Sequence, residues 1–136
     1  MNKINVIITE SDNLEGCYNL KSDDLNKVIN GTCPEIICGV LDSYSYKDRV
    51  SNIVSFSKKL SNSGFLTLKF INATKICKDV SRGNSSSQFL STIVAQSQSL
   101  FLDSDMIELV SQMDGIKIHK IYNDNSHVIV VLQKKI

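Results

Sequence analysis

Glu35-Ile36-Ile37-Cys38-Gly39-Val40-Leu41-Asp42 and Gly64-Phe65-Leu66-Thr67-Leu68-Lys69-Phe70-Ile71-Asn72 decide the fold. Both are apolar runs of strand length, and the stretch between them has the length and pattern of an amphipathic helix. Strand, helix and strand in that order make one βαβ unit of a parallel sheet. Ser45-Tyr46-Lys47-Asp48 has the S-x-x-D form of a capping box and opens the crossover helix. Val50, Ile53, Val54 and Leu60 fall on one apolar face, while Lys47, Asp48, Lys58 and Lys59 can face water. Asn62-Ser63-Gly64 is expected to end the helix and turn the chain into the second strand. A right-handed crossover then sets the two strands parallel and adjacent.

Upstream, Lys3-Ile4-Asn5-Val6-Ile7-Ile8-Thr9 reads as a central strand, broken by the turn formers Glu10-Ser11-Asp12-Asn13. Cys17-Tyr18-Asn19-Leu20 is a short second strand. Ser22-Asp23-Asp24 can cap a helix over Leu25 to Ile29 that stops at Asn30-Gly31. Pro34, the only proline, lacks a ladder donor and marks the entry of the buried strand. Downstream, Lys75 to Ser87 reads as a mobile connection with a serine cluster at its end. Phe89, Leu90, Ile93, Val94, Leu100 and Phe101 form a helical stripe over Gln88 to Phe101, and Asp103-Ser104-Asp105 can cap a further helix carrying Met106, Ile107, Leu109, Val110 and Met113. Core packing is the ordinary role of both stripes. Gly115 stops that helix. Ile116 to Tyr122 and His127 to Gln133 form a hairpin around Asn123-Asp124-Asn125-Ser126, and Val128 to Leu132, apolar on both faces, belongs inside the sheet.

Composition bounds the function classes. The chain has 136 residues, 42% hydrophobic and 21% charged, which predicts one globular domain over 1–136. A formal charge of +1 gives no general field for nucleic acid or an anionic membrane, so neither is an expected partner. No apolar run approaches the roughly 20 residues that span a bilayer. Met1-Asn2-Lys3 followed by Ile4 to Ile8 is too short for a signal-peptide core and lacks a small-residue cleavage site. Cys17, Cys33, Cys38 and Cys77 form no C-x-x-C pair, so reduced thiols in the cytoplasm are expected. The abundance of Lys, Asn, Ile and Ser, with Arg49 and Arg82 as the only arginines, is the bias of an AT-rich genome and fits a viral origin and a place in a virion or other assembly.

The order of elements, with its terminal antiparallel hairpin, resembles the C-terminal half of a class I S-adenosylmethionine-dependent methyltransferase. In one branch of that family a glycine-rich first strand leads into a segment like E-G-Y-I-N-V-D, followed by D-E-I-Y, a short motif ending in an acidic or histidine pair, a helix, and a K-P-G-G-x-L strand. Here stand Leu14-Glu15-Gly16-Cys17-Tyr18-Asn19-Leu20-Lys21, then Pro34-Glu35-Ile36-Ile37, then Val40-Leu41-Asp42-Ser43-Tyr44, then Leu60-Ser61-Asn62-Ser63-Gly64-Phe65-Leu66. The resemblance implies an α/β, Rossmann-like three-layer sandwich, a mostly parallel sheet with a C-terminal antiparallel β-hairpin.

Two departures bear on chemistry. The family's first strand ends in a G-x-G turn whose missing side chains let the backbone approach the cofactor. Ile7-Ile8-Thr9-Glu10-Ser11-Asp12-Asn13 holds no glycine, and the acid that binds the ribose hydroxyls falls on Lys21, which cannot accept those hydrogen bonds. The expectation is therefore a methyltransferase-like domain that holds no cofactor, has no catalytic residues, and serves as a structural or protein-binding subunit or a homo-oligomer. Its contact surface would be the Phe89 to Phe101 stripe or an exposed sheet edge. The alternative is an active methyltransferase with an atypical loop, placing Glu10, Asp42 and Tyr44 around S-adenosylmethionine. Asp42, Tyr44 and Tyr46 do cluster at the carboxyl end of a parallel strand, where ligands bind in open sheets; capping and loop packing account for the same residues. His119 and His127 lie in the hairpin, but two imidazoles without a third ligand are more often surface residues than a metal site, and no metal is expected. No G-x-S-x-G, P-loop or H-E-x-x-H occurs.

Overall fold

β3 (Cys33–Cys38) and β4 (Leu60–Ile71) pair in parallel, with the helix α2 (Tyr46–Lys59) as their crossover. The computed structural model describes residues 3–83 and 103–136. Its other elements are β1 (Ile4–Ile7), β2 (Tyr18–Lys21), α1 (Ser22–Leu25), α3 (Ala73–Ser81), α4 (Asp103–Ser111), β5 (Ile116–Asp124) and β6 (His127–Lys134). The expected helix over Gln88 to Phe101 lies outside the described residues.

The six strands run in the order β2-β1-β3-β4-β6-β5, the first four parallel and β6 antiparallel to both β4 and β5. This is the expected mostly parallel sheet closed by a hairpin, with the apolar β6 inside it. Alternation then sorts the side chains. Ile4 and Val6, Ile36 and Cys38, Leu66, Leu68 and Phe70, and Val128, Val130 and Leu132 share one face and are buried. Leu25 of α1, Ile53 and Phe56 of α2, and Met106 and Val110 of α4 join the same cluster. Each such side chain contributes about 1.5–3 kcal/mol by leaving water. On the opposite face Ile37, Thr67, Lys69, Ile129 and Val131 are only half-buried.

Several local readings change. α2 turns Ile53, Phe56 and Arg49 inward, while Val50 and Val54 are half-buried beside the exposed Tyr46. The guanidinium of Arg49 is tolerated in the core because Nε donates to the Leu41 carbonyl at 2.8 Å and Nη2 to the Asp42 carbonyl at 3.1 Å. Lys59, expected in water, is buried as well, its ammonium donating to the carbonyls of Asn26 and Val28 just past α1. Asn62-Ser63-Gly64 makes no turn between elements: α2 gives way at once to β4, and these residues form an irregularity within it, where Cys33 pairs with Leu60 but Glu35 with Phe65. Pro34 sits inside β3 at that same irregularity, where no ladder donor is required. The first part of the expected mobile connection is the helix α3, opened by Asn72, whose Oδ1 accepts from the Lys75 N–H at 3.0 Å. Among the described residues no helix is long and apolar enough to cross a membrane.

Candidate functional site

The chain runs from β1 outward to β2, and then returns to place β3 on the other side of β1. That reversal opens a crevice at the carboxyl ends of β1 and β3, the switch point where open α/β sheets bind ligands. Ten residues join β1 to β2, too few for an ordinary crossover helix; they carry a single 3₁₀ turn, Glu10–Asp12. The turn is held by its own side chains. Asp12 Oδ2 accepts from the backbone N–H of Ile8 at 3.0 Å and of Thr9 at 2.9 Å. These bonds favour the charged carboxylate and hold its pKa below the ordinary value. Asn5, buried on β1, donates from Nδ2 to the Asp12 carbonyl and to Asn19 Oδ1, which also accepts from Leu14 N–H. The loop is thus folded back over β1 and fastened to it.

A cavity of about 320 Å³ lies in this crevice, at the low end of small-molecule pockets. Asn5, Val6, Asp12 and Leu14 line it from the β1 side, and Ile37, Cys38, Gly39 and Val40 from β3. It continues over the half-buried sheet face onto Thr67 and Lys69 of β4, Ile129 of β6 and Tyr122 of β5. Gly39 matters most for access: a Cβ there would meet nothing within 4 Å, so its backbone is bared to open space. Cys38 is inert by comparison, since burial pushes its thiol up to about 12.

Glu10, Asp42 and Tyr44 are not among the described residues lining the cavity. Glu10 is exposed on the 3₁₀ turn. Asp42 lies in a second 3₁₀ turn, Leu41–Ser43, fixed from beneath by Arg49. Its carboxylate accepts the Ile71 N–H through both oxygens, at 3.2 and 3.0 Å, tying the exit of β3 to the end of β4. Burial raises its pKa, partly offset by that bond and by the charges of Arg49 and His127. Tyr44 packs half-buried against the core, and burial raises its phenol too. Tyr46 is exposed.

The histidines separate. His119 stands edge-on to Phe65 with ring centroids 5.1 Å apart, toward the start of β5, whereas His127 pairs with Ile71 and Asp124 at the opposite end of the hairpin. His127 shares its sheet face with Ile129 and Lys69, one alternation nearer the carboxyl edge. Burial first, and then the ammonium of Lys69, lower its pKa, so its imidazole is neutral at neutral pH. Among the described residues no group of three or more His, Cys, Asp or Glu could hold a metal ion. Asn5, Gly39, Thr67, Lys69 and Tyr122 carry no motif, and strand alternation alone could have put Thr67 and Lys69 on one face.

No family model and no curated protein matches the sequence. The fold does match solved structures. A SAM-dependent methyltransferase from Thermotoga maritima is 9% identical, with a TM-score of 0.63 over 98% of this chain and 82% of that one. A SAM-dependent methyltransferase from Archaeoglobus fulgidus is 10% identical, with a TM-score of 0.64 over 96% and 75%. Magnesium protoporphyrin IX methyltransferase from Synechocystis, solved with bound S-adenosylhomocysteine, is 15% identical, with a TM-score of 0.54 over 86% of this chain and 51% of that one. The chain therefore has the class I methyltransferase fold. These structures also overturn the expectation of no cofactor: two of the three are of S-adenosylmethionine-dependent methyltransferases, and the third holds S-adenosylhomocysteine.

Proposed function

We propose that the chain binds S-adenosylmethionine at the switch-point crevice and acts as a methyltransferase. The observation that carries this reading is the bared backbone of Gly39 at the carboxyl end of β3, opening into a cavity bordered by the loop after β1. The residues present fit the cofactor in a particular way. The N–H groups of Ile8 and Thr9 are taken up by Asp12, so close backbone approach falls to Gly39 and Val40 rather than to the first loop. Asn5 and Asp12 border the cavity, and Asp23, outside that lining, is the first acid after β2 that the ribose hydroxyls could use. When bound, S-adenosylmethionine supplies a sulfonium methyl group open to in-line attack by a nucleophile.

The chain's own part is positioning and proton handling. Arg49 and Asp42 lock the turn after β3 to the end of β4, which fixes the floor on which an acceptor would sit. His127, neutral and at the carboxyl edge of the same face, can take the proton that an acceptor hydroxyl or amine loses. A second reading, a structural or protein-binding domain of a larger assembly, is favoured by the engagement of Ile8 and Thr9 with Asp12. Calorimetric titration with S-adenosylmethionine and S-adenosylhomocysteine tests the first. Micromolar binding is expected, weakened at least tenfold by Gly39→Leu at unchanged melting temperature. Silence at millimolar ligand would refute it.

A further inference from the structure

The part of the cavity that reaches over β4 and β6 has a lining of its own chemistry. Lys69, Ile129 and Tyr122 form one cross-strand row, and Thr67 precedes Lys69 on the same face. Lys69 is half-buried at this wall, and among the described residues no hydrogen bond or ion pair engages its ammonium. A second ammonium, Lys120, lies 5.1 Å from the centre of the Tyr122 ring. The hydroxyls of Thr67 and Tyr122 can each donate a hydrogen bond. Between these groups the surface is apolar, made by Ile37 and Ile129.

The lining contains one carboxylate, that of Asp12, and it is turned into its own loop by the two backbone N–H groups it accepts. An arriving anion therefore meets an unengaged cation, not a competing acid. The ammonium of a half-buried lysine, with hydroxyl donors on the same wall, binds a carboxylate through short charge-assisted bonds, while the apolar floor rejects a strongly hydrated ion that brings no body to cover it.

We propose that this wall binds a small amphipathic carboxylate, its apolar body on Ile37 and Ile129 and its carboxylate on Lys69, Thr67 and Tyr122. The ligand's role as methyl acceptor rests on the function proposed above; the site itself does not. The wall offers two isoleucine side chains, Ile37 and Ile129, so the body it covers is a single ring or a short chain.

The test is a titration of the full chain with benzoate and, separately, with neutral benzamide, at low salt and without cofactor. Benzoate is expected to bind at least tenfold more tightly than benzamide. Lys69→Met should remove that preference, and Tyr122→Phe should weaken benzoate severalfold, both with unchanged melting temperature. Lys58→Met, a surface charge on α2, should leave binding unaltered. Equal binding of the two probes, or benzoate binding that survives Lys69→Met, overturns the proposal. Cofactor binding without benzoate binding overturns this site alone. Lys69-dependent benzoate binding without cofactor binding sustains the site and removes the methyl-transfer reading.

Discussion

Adding one methyl group at Gly64 should loosen the seam between β3 and β4. A Cβ on Gly64 would lie 2.8 Å from the Ser61 carbonyl oxygen, 3.0 Å from that of Cys33 and 3.1 Å from that of Pro34. The nearest is about 0.6 Å inside ordinary contact, and all three atoms are backbone, which cannot swing aside as a side chain can. Two of them belong to the entry of β3 and the third to the irregularity in β4, so relief must come from separating the strands where Cys33 pairs with Leu60 and Glu35 with Phe65. Overpacking of this kind costs about 2–3 kcal/mol. For a chain of this length each kcal/mol moves the midpoint by roughly 4 °C, so Gly64→Ala should lower the melting temperature by about 8–12 °C. Thermal and urea unfolding followed by circular dichroism measure it, with the denaturant slope unchanged. Gly39→Ala is the matched control, since its Cβ meets nothing within 4 Å and its melting temperature should move by no more than about 2 °C. A loss below about 0.5 kcal/mol for Gly64→Ala, or equal losses at the two glycines, would refute the steric argument.

Four further outcomes can be checked on the same protein. Asn72→Ala removes the α3 cap and a bond to Asn123, and should cost about 1 kcal/mol in urea unfolding. Burial raises the Asp42 carboxyl, so its contribution to stability is full below the ordinary carboxylate pKa of about 4 and is lost as pH rises through the raised folded value; Asp42→Asn should flatten urea midpoints across that rise. Asp12 is lowered, so its contribution is present above the ordinary value and lost as pH falls through the lowered one, and Asp12→Ala should flatten the acid side. Thiol labelling near pH 8 should modify the exposed Cys77 first and reach the buried Cys33 and Cys38 only on unfolding; rapid native labelling of Cys38 would contradict a thiol pushed up to about 12.

How much of this could be read from residues alone differs by element. The apolar runs Gly64 to Asn72 and Val128 to Leu132 announced two strands inside the sheet, although only one face of each is fully buried: Leu66, Leu68, Phe70, Val128, Val130 and Leu132 point into the core, while Thr67, Lys69, Ile129 and Val131 are half-buried. Helix α3 is short and Ile76 and Val80 are its only large aliphatic side chains, so a single i, i+4 pair is too little periodicity to separate it from a loop, and the hydrogen bond from Lys75 N–H to Asn72 marks its start. Spacing puts Ile53 and Leu60 inward, as they are, but it cannot foresee that the Arg49 guanidinium will be buried when two carbonyls await it.

The candidate site was less legible still, and the reason is physical. Local periodicity and residue type carry the βαβ unit, the terminal hairpin and the lack of glycine after the first strand. Folding closes the Asp12 loop on itself, bares the Gly39 backbone at the switch point, and sets Lys69, Ile129 and Tyr122 from three strands in one row. Strand order and register bring those residues together across more than 50 positions of chain, and neither is written in any local stretch.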